Sequence, residues 1–173
     1  MVYFVERSRF HAARHPTVIY PCSVGTFSWY QRIGLEVGAT PDGRHYGEAV
    51  AVNLSPVPGI DVSGPTAAIR SYLKMRVGDL PAGAPIGLRF SSSSLKDEAG
   101  TQRLAVFIKG FVDLGGNMIA LTVTDVGELK RAMKEPEKYR HLRVRMGGWT
   151  AYWVVLGEES QRLHIQRVEH GLA

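Results

Sequence analysis

EAGTQRLAVFIKGFVDLGGNMIALTVT, residues 98–124, changes its hydrophobic pattern part-way along. Leu104, Ile108, Phe111 and Leu114 fall on one face of a helix, and Gly115 or Gly116 supplies its end. NMIALTVT then runs apolar almost throughout, as a buried strand does. A helix handing over to a strand is the unit of an α/β fold, and the same alternation continues on both sides. Upstream, SGPTAAIRSYLKM reads as a helix with Ser63 or Gly64 as cap and Pro65 in the first turn, where a missing N–H costs nothing. APIGLRF is a short strand, and SSSS after it is loop. Downstream, DVGELKRAMKEPEKYR opens on a capping-box pair, Asp125 and Glu128, and breaks at Pro136. LRVRM and TAYWVVL flank a double glycine, and EESQRLHIQRVEH reads as a last helix.

The amino-terminal third is less regular. VYFVERSRFHAARH fits a helix stopped by Pro16, and TVIYPCSVGTF a strand leading into a turn, interrupted at Pro21. The stretch from Gly34 to Thr66 is rich in glycine and proline, and a loop of that length is usually functional or packed on a partner. Within it, TPDGR is a turn: Pro41 presets φ and Gly43 accepts φ > 0. No repeat or linker divides the chain, so one structural unit is expected; residues 1–40 read as a helix and a strand segment.

The chain has 173 residues, 45% hydrophobic and 21% charged, enough for a globular core. No apolar run spans a bilayer and no signal peptide is recognisable, so a cytoplasmic protein without membrane contact is expected. The lone Cys22 fits a reducing compartment. The net charge of +5 is spread among interleaved acids, and the aromatics make no stacking pattern; nucleic acid is not an expected partner. His11, His15, His45, His141, His164 and His170 form no metalloprotease pattern, so no metal is expected. Asp42 and Arg44 read as a solvated turn or an inter-subunit contact before substrate contacts.

Met146, Gly147, Gly148 and Trp149 join the two strand-like runs. From the residues alone the glycine pair is a hairpin turn. YRHLRVRMGGWTAYWVVLGEESQRLHIQRVEHG, however, resembles the glycyl radical fingerprint of the pyruvate formate-lyase-like glycyl radical enzymes. The matching positions are Arg145, Gly148, Trp149, Ala151, Trp153, Leu156, Gln161, Ile165 and Arg167. Met146 and Gly147 stand where the family commonly has valine and then serine or alanine, and Trp149 where it has tyrosine or phenylalanine. Three further blocks resemble the family in order: VGTFSWYQRIGLEVGATPDGR, NLSPVPGIDVSGPTAAIRS and AVFIKGFVDLGGNMIALTVTDVGELKRAMKEPEKYR.

The resemblance implies the carboxy-terminal part of a ten-stranded barrel with its glycine-loop domain, and it makes residues 1–40 the last barrel strand with its preceding helix and 41–173 the radical domain. It implies a radical stored post-translationally on Gly148, with no bound metal or organic cofactor. Arg145, Met146, Gly147, Trp149, Gln161 and Arg167 would support the radical loop, and Ser23, Val24, Gly25, Thr26 and Phe27 would line a substrate pocket. Glycine suits the task because a Cα radical delocalises over the flanking amides and a side chain would obstruct that planarity. The family passes the radical to a cysteine on a separate loop; Cys22 lies in the strand-like block and does not match that loop. The chain is therefore expected to be the radical-bearing small subunit of a split, oxygen-sensitive lyase, dehydratase or decarboxylase, inactive alone. Its partners would be a large subunit with the thiyl cysteine and a radical S-adenosylmethionine activating enzyme. The alternatives are a spare part repairing an oxygen-cleaved enzyme and a non-catalytic binding remnant.

Overall fold

The computed structural model describes residues 21–26, 29–57, 59–146 and 149–166, and the backbone of 169–170. The helix expected before Pro16 lies outside them. The described elements are α1 (Tyr30–Glu36), α2 (Pro65–Tyr72), β1 (Pro85–Phe90), α3 (Glu98–Asp113), β2 (Met118–Val123), α4 (Val126–Lys134), β3 (Arg143–Arg145), β4 (Thr150–Tyr152), α5 (Glu158–Gln166) and β5 (Glu169–His170), with short 3-10 turns between several of them. The chain is α/β, as its alternation requires.

β1 is the centre of a parallel three-stranded sheet ordered β2-β1-β5. Its register runs from Pro85 against Met118 to Phe90 against Val123. Pro85 is tolerated because it is the strand's first residue. α3 crosses from β1 to β2. The Asp97 carboxylate accepts from the Gly100 amide at 2.7 Å and starts it. Gly115, at φ 83, ends it, with the Gly116 amide bonding the Phe111 carbonyl and that of Gly115 bonding Val112, both at 2.9 Å. Phe111 stacks on Tyr72 at 5.8 Å and Phe107 meets Phe90 edge-on at 5.4 Å. With Ile69, Leu80, Ile86 and Leu88 they build the first core.

Four expectations are corrected. Leu114 caps α3 and is 62% exposed, so it leaves the buried face that Phe107 joins. β2 is a strand but not a buried one: it is the sheet edge, and Met118 and Val123 are exposed. The last helix stops at Gln166, and Glu169–His170 pair with Arg89 and Phe90. A two-residue strand has no period to read, and only the free edge of β1 creates it. Residues 21–26 carry no ladder; they are held instead by single bonds, Ala82 N–H to the Cys22 carbonyl at 3.1 Å and the Ser23 hydroxyl to the Gly83 carbonyl at 2.7 Å.

The glycine-rich stretch starts later than expected, because α1 runs through Gly34. A Cβ there would lie 2.9 Å from the Glu48 carbonyl carbon and closer still to its oxygen. The glycine lets the returning loop pack against the helix. Thr40–Gly43 forms the expected turn, with Gly43 at φ 96. Arg44 is neither solvated nor a free contact group. Its buried guanidinium donates to the carbonyls of Glu48 at 2.7 Å, Val37 at 3.1 Å, His45 at 3.2 Å and Gly38, gathering the carbonyls that follow α1.

Candidate functional site: a hairpin carrying two glycines

β3 and β4 pair antiparallel, Arg143 with Tyr152, Val144 with Ala151 and Arg145 with Thr150. The strand period divides them cleanly. Val144, Met146 and Ala151 face inwards, while Arg143, Arg145, Thr150 and Tyr152 are exposed. The inward set meets Leu129 and Ala132 of α4 and the fully buried Trp153, forming a second core. α4 begins where the Asp125 carboxylate accepts from the Glu128 amide at 3.1 Å, half of the expected capping box.

The hairpin closes where the Met146 amide donates to the Trp149 carbonyl at 2.8 Å. Gly147 and Gly148 stand between these two residues in the sequence; both lie outside the described residues, as do Phe27 and Arg167. Met146 is 4% exposed and anchors one side of the tip. Trp149 is 45% exposed, so this chain's described residues leave its ring open to solvent. On the outer face Arg143 donates to the Tyr152 hydroxyl at 3.0 Å with its guanidinium 5.0 Å from the ring centre, and Arg145 donates to the Thr150 hydroxyl at 3.3 Å. Behind the hairpin, the buried Gln161 side chain donates to the Trp153 carbonyl at 2.8 Å, and His164 meets the Trp153 ring edge-on at 5.7 Å. Gln161 thus ties α5 to the segment that leaves β4.

The other expected site residues sit elsewhere. Val24 and Cys22 pack against the first core. Thr26 makes a reciprocal clamp with Asn53: its amide donates to the Asn53 side-chain carbonyl at 3.0 Å, and its hydroxyl accepts from the Asn53 amide at 2.8 Å. Asn53 is buried at φ 56, a left-handed conformation that asparagine tolerates better than most residues. Nothing in NLSP signalled this position; the strain exists only once the two segments meet. Arg89, buried on the central strand, was equally illegible. Among the described residues no three His, Cys, Asp or Glu side chains converge as a metal site would require. No helix among them is long and apolar enough to cross a membrane.

Residues 50–154, which include both glycines, match the family model described as "Glycine radical". The chain belongs to the glycine radical family. It is 36% identical over 138 residues to indoleacetate decarboxylase of Tractidigestivibacter scatoligenes, covering 79% of this chain and 16% of that protein. It is also 36% identical over 146 residues to isethionate sulfite-lyase of Desulfovibrio desulfuricans, covering 83% and 18%. The B12-independent glycerol dehydratase of Clostridium butyricum superposes with a TM-score of 0.90 at 32% identity, covering 98% of this chain and 22% of that one. A glycyl radical enzyme of Archaeoglobus fulgidus gives 0.88 at 31%, with the same coverage. The chain therefore spans about a sixth to a fifth of the length of the relatives it matches. By name these relatives are a decarboxylase, a sulfite-lyase, a dehydratase and a glycyl radical enzyme.

Proposed function

We propose that this chain stores a radical on Gly148 and passes it to a cysteine outside these 173 residues, in the small subunit of a split lyase, dehydratase or decarboxylase. The carrying observation is the hairpin closed by Met146 and Trp149 around the glycine pair, inside the span that matches the family. A radical S-adenosylmethionine activating enzyme removes one hydrogen atom from the Gly148 Cα. In turnover a cysteine S–H bond breaks, a Cα–H bond forms at Gly148, and the thiyl radical attacks substrate; the atom is returned afterwards. The residues of this chain hold the glycine and limit its surroundings. Met146 anchors the tip, Arg145 braces β4 through Thr150, and Gln161 fastens α5 behind it. The fingerprint gives Gly147 and Arg167 the same role.

In this reading residues 1–40 join the ten-stranded barrel only once the large subunit supplies the neighbouring strands, and 41–173 are the radical domain. Ser23 to Phe27 line the pocket that the large subunit completes. Exposed apolar side chains support a missing neighbour: Trp29, Tyr46, Ile60, Val62, Met118, Val123 and Trp149 are all open to solvent in this chain. Trp149 becomes part of a dry enclosure once that neighbour is present, which protects the radical from solvent. In this reading the assembly works in an oxygen-free, reducing cytoplasm.

The test is anaerobic activation of the co-expressed complex, read by electron paramagnetic resonance. A doublet split by the remaining α-hydrogen should appear, collapse on glycine deuteration, vanish in Gly148→Ala and survive in Gly147→Ala. Oxygen should then cut the chain at Gly148 and release the WTAYWVVL tail. A signal that follows Gly147 would shift the assignment by one residue. No signal with activator and large subunit present would remove it. If the chain instead restores an oxygen-cleaved full-length enzyme, the spare-part role replaces the subunit role.

A further inference from the structure

α2 and α3 lie side by side over the first core, and between them runs an open groove of about 690 Å³. Its floor is apolar. Ile69 and Leu73 line it from the α2 side, Phe107 and Phe111 from α3. Gly110 carries no side chain, and a Cβ built there would meet nothing within 4 Å, so the groove stays open at its middle. The α3 rim is apolar and exposed: Val106 is 71% and Leu114 62% accessible. The opposite rim carries two exposed cations, Arg70 in the last turn of α2 and Lys74 in the turn just beyond its end. Neither is among the ion pairs formed by the described residues, whereas the neighbouring Lys109 is paired with Asp113. Val106 and Leu114 are eight positions apart, about 12 Å along the helix axis.

An apolar trough with one apolar lip and one cationic lip is asymmetric, and the asymmetry selects its occupant. A helix seated there buries an apolar stripe on the floor. The flank facing Arg70 and Lys74 must then be acidic, because a basic flank would bring like charges together as water is excluded. A second copy of this chain is a poor match, since its net charge is +5. We infer that the α2–α3 groove docks an amphipathic helix with an acidic flank. We assign that helix to the large subunit, and to that extent the inference rests on the function proposed above.

The test needs no activation, so its failure is separate from any failure of the radical assignment. The probe is a synthetic stapled helix of about 18 residues, long enough to hold its shape, with leucines on one stripe and glutamates beside it. A counterpart carries lysines in place of the glutamates. Binding to the full 173-residue chain is read by fluorescence anisotropy. The glutamate peptide should bind at least about tenfold more tightly than the lysine peptide. The double variant Arg70→Glu, Lys74→Glu should reverse that preference. Gly110→Leu should block both peptides while keeping the circular dichroism of the parent, because the new side chain enters open space. Val106→Asp, at an exposed rim, should weaken the glutamate peptide without altering the fold. Equal binding of the two peptides, or binding untouched by Gly110→Leu, would overturn the assignment. So would a concentration-dependent dimer in sedimentation that Gly110→Leu abolishes, since a second copy would then be the occupant.

Discussion

Two helical glycines, Gly34 in α1 and Gly110 in α3, should respond to the same substitution with opposite signs. Alanine at Gly34 places a methyl group 2.9 Å from the Glu48 carbonyl carbon and 3.1 Å from the Ala49 Cα, with the Glu48 oxygen nearer still. All three are backbone atoms, so no rotamer change relieves the overlap. The loop through Glu48 has to move, and it is held by the Arg44 guanidinium and by the Gly47 amide bond to the Gly34 carbonyl at 3.2 Å. Overpacking of this kind costs about 1–3 kcal/mol. Alanine's better helix propensity returns up to about 1 kcal/mol. Because the overlap is with backbone on every side, the upper part of that range applies, about 2–3 kcal/mol, so the net loss should be about 1–2 kcal/mol, a fall in Tm of roughly 2–8 °C for a chain of this size. At Gly110 the added methyl meets nothing within 4 Å, so only the propensity gain remains. Tm should rise by roughly 1–4 °C. Both are read by circular dichroism melts at low micromolar concentration. If Gly34→Ala melts at or above the parent temperature, the close approach of the loop does not explain that glycine. If Gly110→Ala falls with it, the groove is not open.

Arg44→Met should cost about 2–3 kcal/mol in a denaturant melt, since it strands several carbonyls that one buried cation satisfies. Arg44→Lys should recover only part of it, because an ammonium lacks the planar fork. Tyr72→Phe should cost about 1–2 kcal/mol, removing the hydroxyl that donates to the Ala84 carbonyl at 2.6 Å. Burial raises the Tyr72 hydroxyl above its ordinary pKa, and the nearby Met118 and Asn117 amides only partly oppose this. The unfolded chain therefore releases that proton first, near pH ~10. The stability Tyr72 contributes is complete below that pH and is lost as pH rises through the folded value, so Tyr72→Phe should flatten the alkaline limb of a pH–stability curve. Cys22→Ser should change stability by no more than about 1 kcal/mol. In the assembled enzyme it should leave the glycyl radical signal and turnover in place; loss of turnover with the signal intact would make Cys22 the thiyl residue after all.

The sequence alone determined the elements that carry their own local signals. α3 had its face and its terminating glycine; α4 had Asp125 and Pro136; α2 had Gly64 and Pro65. The hairpin was legible because two strand-like runs flank a glycine pair, and the family because fingerprint residues recur in order around it. What stayed hidden depends on surfaces that exist only after folding. Gly34 reads as the start of a glycine-rich loop until the Glu48 loop is seen to need its missing side chain. Asn53 acquires its left-handed backbone only where Thr26 meets it. Arg44 looks like a surface turn residue until its guanidinium collects the carbonyls after α1. β2 reads as buried because its composition is apolar, yet composition records what a strand can bury and not which neighbour buries it. β5 is two residues long and follows from the free edge of β1. Local propensity and short-range capping act within a few residues and leave a pattern in the chain. Close packing, strand pairing and the satisfaction of buried cations join residues far apart in sequence, and only the tertiary structure decides them.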